Sequence, residues 1–585
     1  MLQIYVDDRP IDLSDDISID LVFENPLFSS DRIPATYSLS YDLPLTPRNR
    51  QVFGNPDRVA AAGDRFRERP ARILFAGLEI ASGVQTIEEI SGVITVNFSG
   101  SVLPAALNRK LYHVEMDKIP LSYNGSFAQE TSMVVWDGIL RENMKDPDAP
   151  FFAPPLAIKD AEPVEPDPDN PEDSFLTTRR SFVNLVDQSL NYIHFRQGSG
   201  NRYMLKILPA VKVWYLFDKI FGDRLERNIF KEGEWSKLCL QTLWHPDYKL
   251  TDNLPPWTPD KDAWGKPGYA VWLRDFMPDV WSADFVVEML KLPCASMYVR
   301  GDRFSIESNT DVLSRNVVRD IRLEEGYTIS REAGQKYVLG HSEASNDLEP
   351  ADVEIRETSS VVEGMKVMDG SVYVSAFRSR YPPQVLQADS ESVPHLTIVK
   401  AYRAEEEEAE ESDVEEPATY DMTIQAQVVQ CNVHRWLYND ADLEGDRVER
   451  FYIPEIERIE AKRPDTILLG LYQGIHDAIR YHGETWHYPY MSSSNYNAYG
   501  EKLGELSLDR DRLSEFSARH TAFKQWIERD KLVITGQTYF TALDLHELDL
   551  RDKFTFHGRR FFIRTMNISL KKNTIEPAEV ELVEV

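Results

Sequence analysis

Across residues 1–100 apolar and polar side chains alternate in short runs: LQIYVDD, SIDLVFEN, TYSLSYDLPL, RPARILFAGLEIASG, VQTIEEI and VITVNFSG, separated by Asp, Pro, Gly and Asn. Alternation at period two puts one strand face in a core and the other in water, so the pattern predicts half-buried antiparallel strands. The segment PLTPRNRQVFGNP, residues 44–56, breaks the alternation and predicts a proline-bounded loop that packs on a neighbouring element.

Further on the pattern changes repeatedly. It loosens into short polar helices and extended chain over 103–152. SFVNLVDQSLNYI, residues 181–193, has the spacing of a short helix, and YMLKILPAVKVWYLFDKIFG, residues 203–222, reads as a buried strand or turn feeding a helix. Residues 283–308, ADFVVEMLKLPCASMYVRGDRFSIES, predict an amphipathic helix over 283–290 and then a hairpin around Gly301-Asp302, with the helix covering the hairpin's apolar face. Extended pieces follow to residue 341, and SVYVSAF and HLTIVKAY predict further strands, the second of them beside TYDMTIQA. PDTILLGLYQGIHDAIR, residues 464–480, reads as a helix, and HGETWHYPYMSSSNYNAYG after it as an aromatic, polar loop. The chain closes with a polar helix over 508–531 and the strands LVITGQTYF, KFTFHGRRFFIRTMNISL and VELVEV.

These shifts divide the 585 residues into an N-terminal antiparallel β domain (1–105), a connecting region (106–158), an acidic Pro-rich linker (159–174), a central α+β domain (175–402), an acidic loop (403–417) and a C-terminal α+β domain (418–585). In the linker prolines remove N–H donors and acids repel. Nine acids among residues 405–416 repel too strongly to pack as a core element. The fold class expected is α+β, β-rich and multidomain, with small antiparallel barrel or sandwich domains and packed short helices. No repeat of fixed period points to a solenoid or propeller.

Charge adds one constraint. With 65 basic and 96 acidic residues the net charge is -31, which removes the electrostatic term on which nucleic-acid affinity rests. Tight DNA binding is not expected, although a carboxylate-lined duct lets DNA pass without sticking. The first residues carry acids where a signal peptide is basic and apolar, and no stretch reaches the roughly 18 apolar residues of a membrane span. The expectation is a soluble chain made in the cytoplasm.

Candidate chemistry is sparse. His482, Glu484 and His487, with His476 upstream, make the best metal-like cluster, but their spacing matches no short zinc signature, and ordinary surface or packing roles are expected. Glu484 beside Trp486, Tyr488 and Tyr490 has the composition of a sugar-stacking cleft, and a glycosidase would add a second carboxylate. Trp244, Trp257, Trp264 and Trp272 suggest an aromatic anchor cluster within 241–275. Cys239, Cys294 and Cys431 are too few and too scattered for a disulfide framework, and neither they nor His113 have a recognisable catalytic partner. The chain has no GxSxG, Walker A or GxGxxG sequence. The reading assigns no catalytic, cofactor or metal residue and expects no enzyme and no cofactor.

Three blocks carry a resemblance. NPLFSSDRIPATYSLSYDLPLTPRNRQVFGNP followed by RPARILFAGLEIASG resembles the opening of tail proteins from phages and prophages of Bacteroides-type bacteria, with their P-x-T-x-x-N loop here as Pro44, Thr46 and Asn49. DFVVEMLKLPCASMYVRGDRFSIES resembles the helix and hairpin of baseplate hub proteins, the late-control or tail-hub group. The ending from TALDLHELDL is similar to that of the same group, with its D-L-x-x-L step as Asp544, Leu545 and Leu548. The resemblance implies a ring, usually a homotrimer, that joins the tail tube to tip or fibre proteins in the virion tail and admits DNA through its bore. It carries over no active-site residue. Such a protein is expected to present broad docking faces and no deep polar pocket; the competing expectation is a carbohydrate-active protein.

Overall fold

The structure, a computed structural model, describes the chain except residues 34–35, 59–65, 101–106, 121–128, 159–181, 187–188, 193–206, 246–259, 262–266, 269, 301–302, 317, 342–365, 369–370, 374–417, 439–446, 461, 478, 481–486, 498–500 and 509–513. The Pro-rich stretch 159–174, the acidic run 405–416, the strand expected at 395–402, Trp257, Trp264, His482, Glu484 and Trp486 therefore lie outside the described residues.

The alternating segments of residues 1–100 are strands. Leu2–Val6, Arg69–Phe75, Leu78–Ile90 and Val93–Gly100 are successive antiparallel neighbours, and Thr36–Ser38 and Tyr41–Pro44 both pair with Val93–Gly100. Ser18–Glu24 then pairs along its whole length with Arg559–Lys571 near the other end of the chain. Beyond it come Ala578–Glu584, Lys531–Thr538 and, at the edge, Thr328–Glu332. The result is a 14-stranded, branched sheet whose main path has two free ends, so the expected small barrel is not closed among the described strands. Ile19, Leu21 and Phe23 enter one hydrophobic core with Ile563, Ile568, Val580 and Leu582, so residues from both ends of the chain are buried together.

Residues 44–56 are not merely a loop, because Pro47–Val52 is a short helix. Its start is written in the sequence: Thr46 caps it, accepting from Asn49 N at 3.1 Å, and Pro47 sits where a helix needs no N–H. Asn49, fully buried, donates to Pro44 O (2.8 Å) and Asp12 O (2.9 Å) and accepts from Asp12 N (2.8 Å). The P-x-T-x-x-N pattern is thus a lock between this helix and residue 12.

The middle of the chain builds a second core around two further sheets. Ala210–Lys212 runs straight into helix Val213–Phe221, which ends at Gly222 (φ 59°). Helix Ser282–Lys291 precedes the hairpin of Ala295–Arg300 and Arg303–Ser308, as the spacing predicts. Residues 464–480 are not a helix: Leu468–Asp477 is a strand with Leu238–Gln241 on one side and His487–Ser492 on the other. A continuous apolar run fits a doubly covered strand as well as a buried helix, and Gly470 and Gly474 favour the strand. Residues 181–193 likewise show no described helix, since Phe182–Val183 is a strand against Leu156–Ile158.

A third core joins the other two. Helix Glu515–Glu528, opened by a Ser514–Ser517 capping box, places Phe523, Trp526 and Ile527 against Leu27, Tyr337, Tyr420, Phe562 and Val583.

Candidate functional site

Of the histidine cluster only His476 and His487 are among the described residues, and these two do not come together. His476 pairs across the hairpin with Tyr488, and Asp477 with His487. Neighbouring strand residues point to opposite faces, so His476 and His487 cannot share an ion. His476 Nε2 instead donates to Gln473 O at 3.0 Å, and His487 lies 2.6 Å from Asp477. Among the described residues no group of three or more His, Cys, Asp or Glu is placed to hold a metal ion.

The described part of the aromatic loop is also corrected. His487–Ser492 is a strand whose Tyr488 and Tyr490 are buried, with their hydroxyls on Tyr452 O (3.0 Å) and Tyr496 O (3.1 Å). These two rings are core, not a sugar-stacking face. Trp244 forms an isolated bridge with Glu460. Trp272 lies in a strand against Lys118–Pro120, with the Arg274 guanidinium 4.4 Å from its ring centroid.

The cysteines are free. Burial pushes the Cys239 and Cys431 thiols up, and that of Cys294 up to about 12, so none is primed as a nucleophile. Cys294 belongs to a buried polar cluster. Tyr337 donates to His520 Nδ1 (2.6 Å), His520 Nε2 donates to Leu292 O (3.0 Å), and Asn309 accepts from Ser296 Oγ (2.8 Å). With Nε2 protonated and Nδ1 accepting, His520 is neutral, and burial holds it down at about 4.

The feature that draws distant parts of the chain together is a cleft of about 350 Å³, which departs from the expected absence of a deep polar pocket. Its walls come from Glu24 and Pro26, from Glu79–Ser82, from Tyr298, Val299 and Arg303 of the hairpin, and from the Leu545–Arg551 region.

Each wall is pinned. Asn25 donates to Leu550 O (2.8 Å) and Ile563 O (2.9 Å) while accepting from Leu27 N (3.0 Å). Ser296 Oγ, whose proton goes to Asn309, lies 3.3 Å from Pro26 O, and His546 Nδ1 donates to Glu79 O at 2.7 Å. Helix Ala542–His546 is capped by a Thr541–Asp544 box, which turns Leu545 into the core. Of the D-L-x-x-L step, Asp544 is therefore a cap and Leu545 and Leu548 are packing and cleft residues.

The charges of the cleft are mostly internal. Arg551 binds Asp549 (2.8 Å) and Glu307 (3.0 Å), and Glu307 also takes Arg227 at 2.5 Å. Burial pushes the Asp549 carboxyl up, but Arg551 and the nearby Arg315 outweigh it and hold it below the usual range. Glu24 is paired with Arg32 at 2.9 Å. No single run of sequence marks this site. Asn25 before Pro26 has the form of a helix cap, but Glu307, Arg551 and Tyr298 lie in separate segments and meet only in three dimensions.

No family model matches the chain, and no curated protein matches it. Among solved structures it is similar to the 43 kDa tail protein of prophage MuSo2 from Shewanella oneidensis, at 8% identity over 100% of this chain and 98% of that chain, with a TM-score of 0.30.

Proposed function

We propose that the chain is a structural subunit of a phage or prophage tail, a baseplate or tail-tip hub that closes into a ring and joins the tail tube to the tip. The observation that carries this reading is the convergence of the three resembling blocks. Residues 25–56 and 69–83, 284–308 and 541–585 are far apart in sequence, yet all three contribute to the walls of one cleft. Segments that resemble a family separately and also pack on one another support a shared architecture better than any one of them does.

The sheets suit the role. Among the described strands Thr328–Glu332 is an edge, Ile329 on it is 59% exposed, and ring closure removes such edges from solution. The net charge of -31 suits a bore that admits DNA without holding it. Among the described residues no helix is long and apolar enough to cross a membrane.

Molar mass by light scattering across a wide concentration range, with electron microscopy in parallel, tests the reading. The expected outcome is a species of about three times the 67.4 kDa chain that images as a ring. A chain that stays monomeric at every concentration, and also when mixed with tail-tube rings, overturns it.

A further inference from the structure

Helix Glu515–Glu528 carries residues of two cores on one face. Phe516 belongs to the core built by the middle of the chain, whereas Phe523, Trp526 and Ile527 belong to the third core. His520 lies between them, one turn from each phenylalanine, and is buried at the seam where the two cores meet. Two segments grip its ring there, Tyr337 at 2.6 Å on Nδ1 and Leu292 O at 3.0 Å on Nε2. Thr310 Oγ1 ties the same helix to Asn309–Ser314 by donating to Arg519 O at 2.7 Å. Cys294, fully buried, lies 3.8 Å from the Tyr337 hydroxyl.

This site is built for a neutral ring. The titratable groups facing it are Tyr337, Cys294 and Tyr420, which stacks on Tyr337 at 5.9 Å, and burial pushes all three up, so they stay neutral in acid. On the elements around it Glu288 pairs with Lys291 at 3.2 Å and Glu515 with Arg519 at 2.7 Å, while Asp311, Lys336, Lys524 and Glu528 are exposed. A proton on Nδ1 turns the Tyr337 hydroxyl toward the Cys294 sulfur, a weak acceptor, and leaves the ring's charge away from water with no counter-ion. His520 is the one fully buried histidine among the described residues. His476, also held down by burial, is half-buried, and Asp477 and Glu501 favour its cation.

We propose that this seam is an acid-operated joint: protonation of His520 parts helix Glu515–Glu528 from residues 292–294 and 309–314 and uncovers Cys294, while the core of the middle of the chain stays folded. Opening gives the charged ring water, and it breaks only the contacts that cross the seam. The joint lies within one subunit, goes beyond the tail reading and does not rest on it.

The cysteines report the opening, since Cys294 is in the third core and Cys239 and Cys431 are in or against the core of the middle of the chain. The test treats the full chain with a dipyridyl disulfide, which labels thiols in acid, and assigns the sites by peptide mass mapping. Each rate is divided by that of the urea-unfolded chain at the same pH. Cys294 should react on the order of 50-fold faster at pH 4.5 than at pH 7.5, with the rise starting below pH 6.5 and Cys239 and Cys431 still protected. His520→Gln should remove the acid dependence, whatever its rate at pH 7.5. The parent profile is decisive without the variant. Labelling of all three cysteines together is global acid unfolding and overturns the proposal, as does a Cys294 that stays protected at pH 4.5 or an acid dependence that persists in the variant.

Discussion

His520 shows how much a single buried side chain decides. Its ring bridges Tyr337 on one strand to Leu292 at the end of another element, and burial away from water favours its neutral form. Its folded value of about 4 lies below the ordinary 6.5, so the unfolded chain binds the extra proton first. The stability it contributes is therefore complete above pH 6.5 and is lost as pH falls from there toward 4, by an amount on the order of 3 kcal/mol. Urea unfolding at pH 7.5, 6 and 4.5 should show this decline, and His520→Gln should flatten it while lowering stability at pH 7.5. A wild-type curve no steeper than that of the variant would remove His520 as the cause. Asn49 offers a pH-independent comparison. Its three hydrogen bonds are buried, so Asn49→Ala should cost about 3 kcal/mol in the same assay. The histidines at 476 and 487 point to opposite faces, and protein purified without a histidine tag should carry no stoichiometric zinc or iron by elemental analysis.

Strands and helices were legible where the pattern was strictly periodic and ambiguous where it was not. Alternation located the strands of residues 1–100, and the apolar spacing of 283–290 located the helix before the hairpin. It failed over 464–480, because the unbroken apolar run ILLGLY at 467–472 carries no period to read. There the deciding fact is a neighbour on each side, which no local window contains. The same limit applies to Gly83. In sequence it is one glycine in a strand, whereas in the structure a Cβ there would lie 1.9 Å from Ser99 O. Gly83→Ala must push two paired strands apart and should cost about 3 kcal/mol or more, read as a lower unfolding midpoint. A variant within 0.5 kcal/mol of the parent, the range about usual for surface changes, would mean the strands part freely at this crossing.

Taken as a whole, the molecule is an acidic body held shut by its two ends, and both facts govern how copies meet. The pairing of Ser18–Glu24 with Arg559–Lys571 leaves no trace in the alternation of either strand, so the cleft it helps build was not legible either. Net charge was legible from composition alone, and it makes a definite demand on assembly. Subunits carrying -31 each repel, and the repulsion is long-ranged at low salt, where the Debye length is about 30 Å at 0.01 M against about 8 Å at 0.15 M. The contacts offered by Thr328–Glu332, an edge among the described strands, are main-chain hydrogen bonds and the apolar Ile329, which act at short range and are not screened in that way. If rings form through such contacts, added salt removes repulsion without removing attraction. Molar mass by light scattering should then rise from monomer toward ring as sodium chloride goes from about 0.01 to 0.15 M and should persist above that, as screening saturates. Ile329→Lys should shift the transition to higher protein concentration by adding a charge and deleting apolar contact at the edge. A mass that falls with salt would mean that ion pairs hold the ring, and would move the interface from this edge to the charged surface.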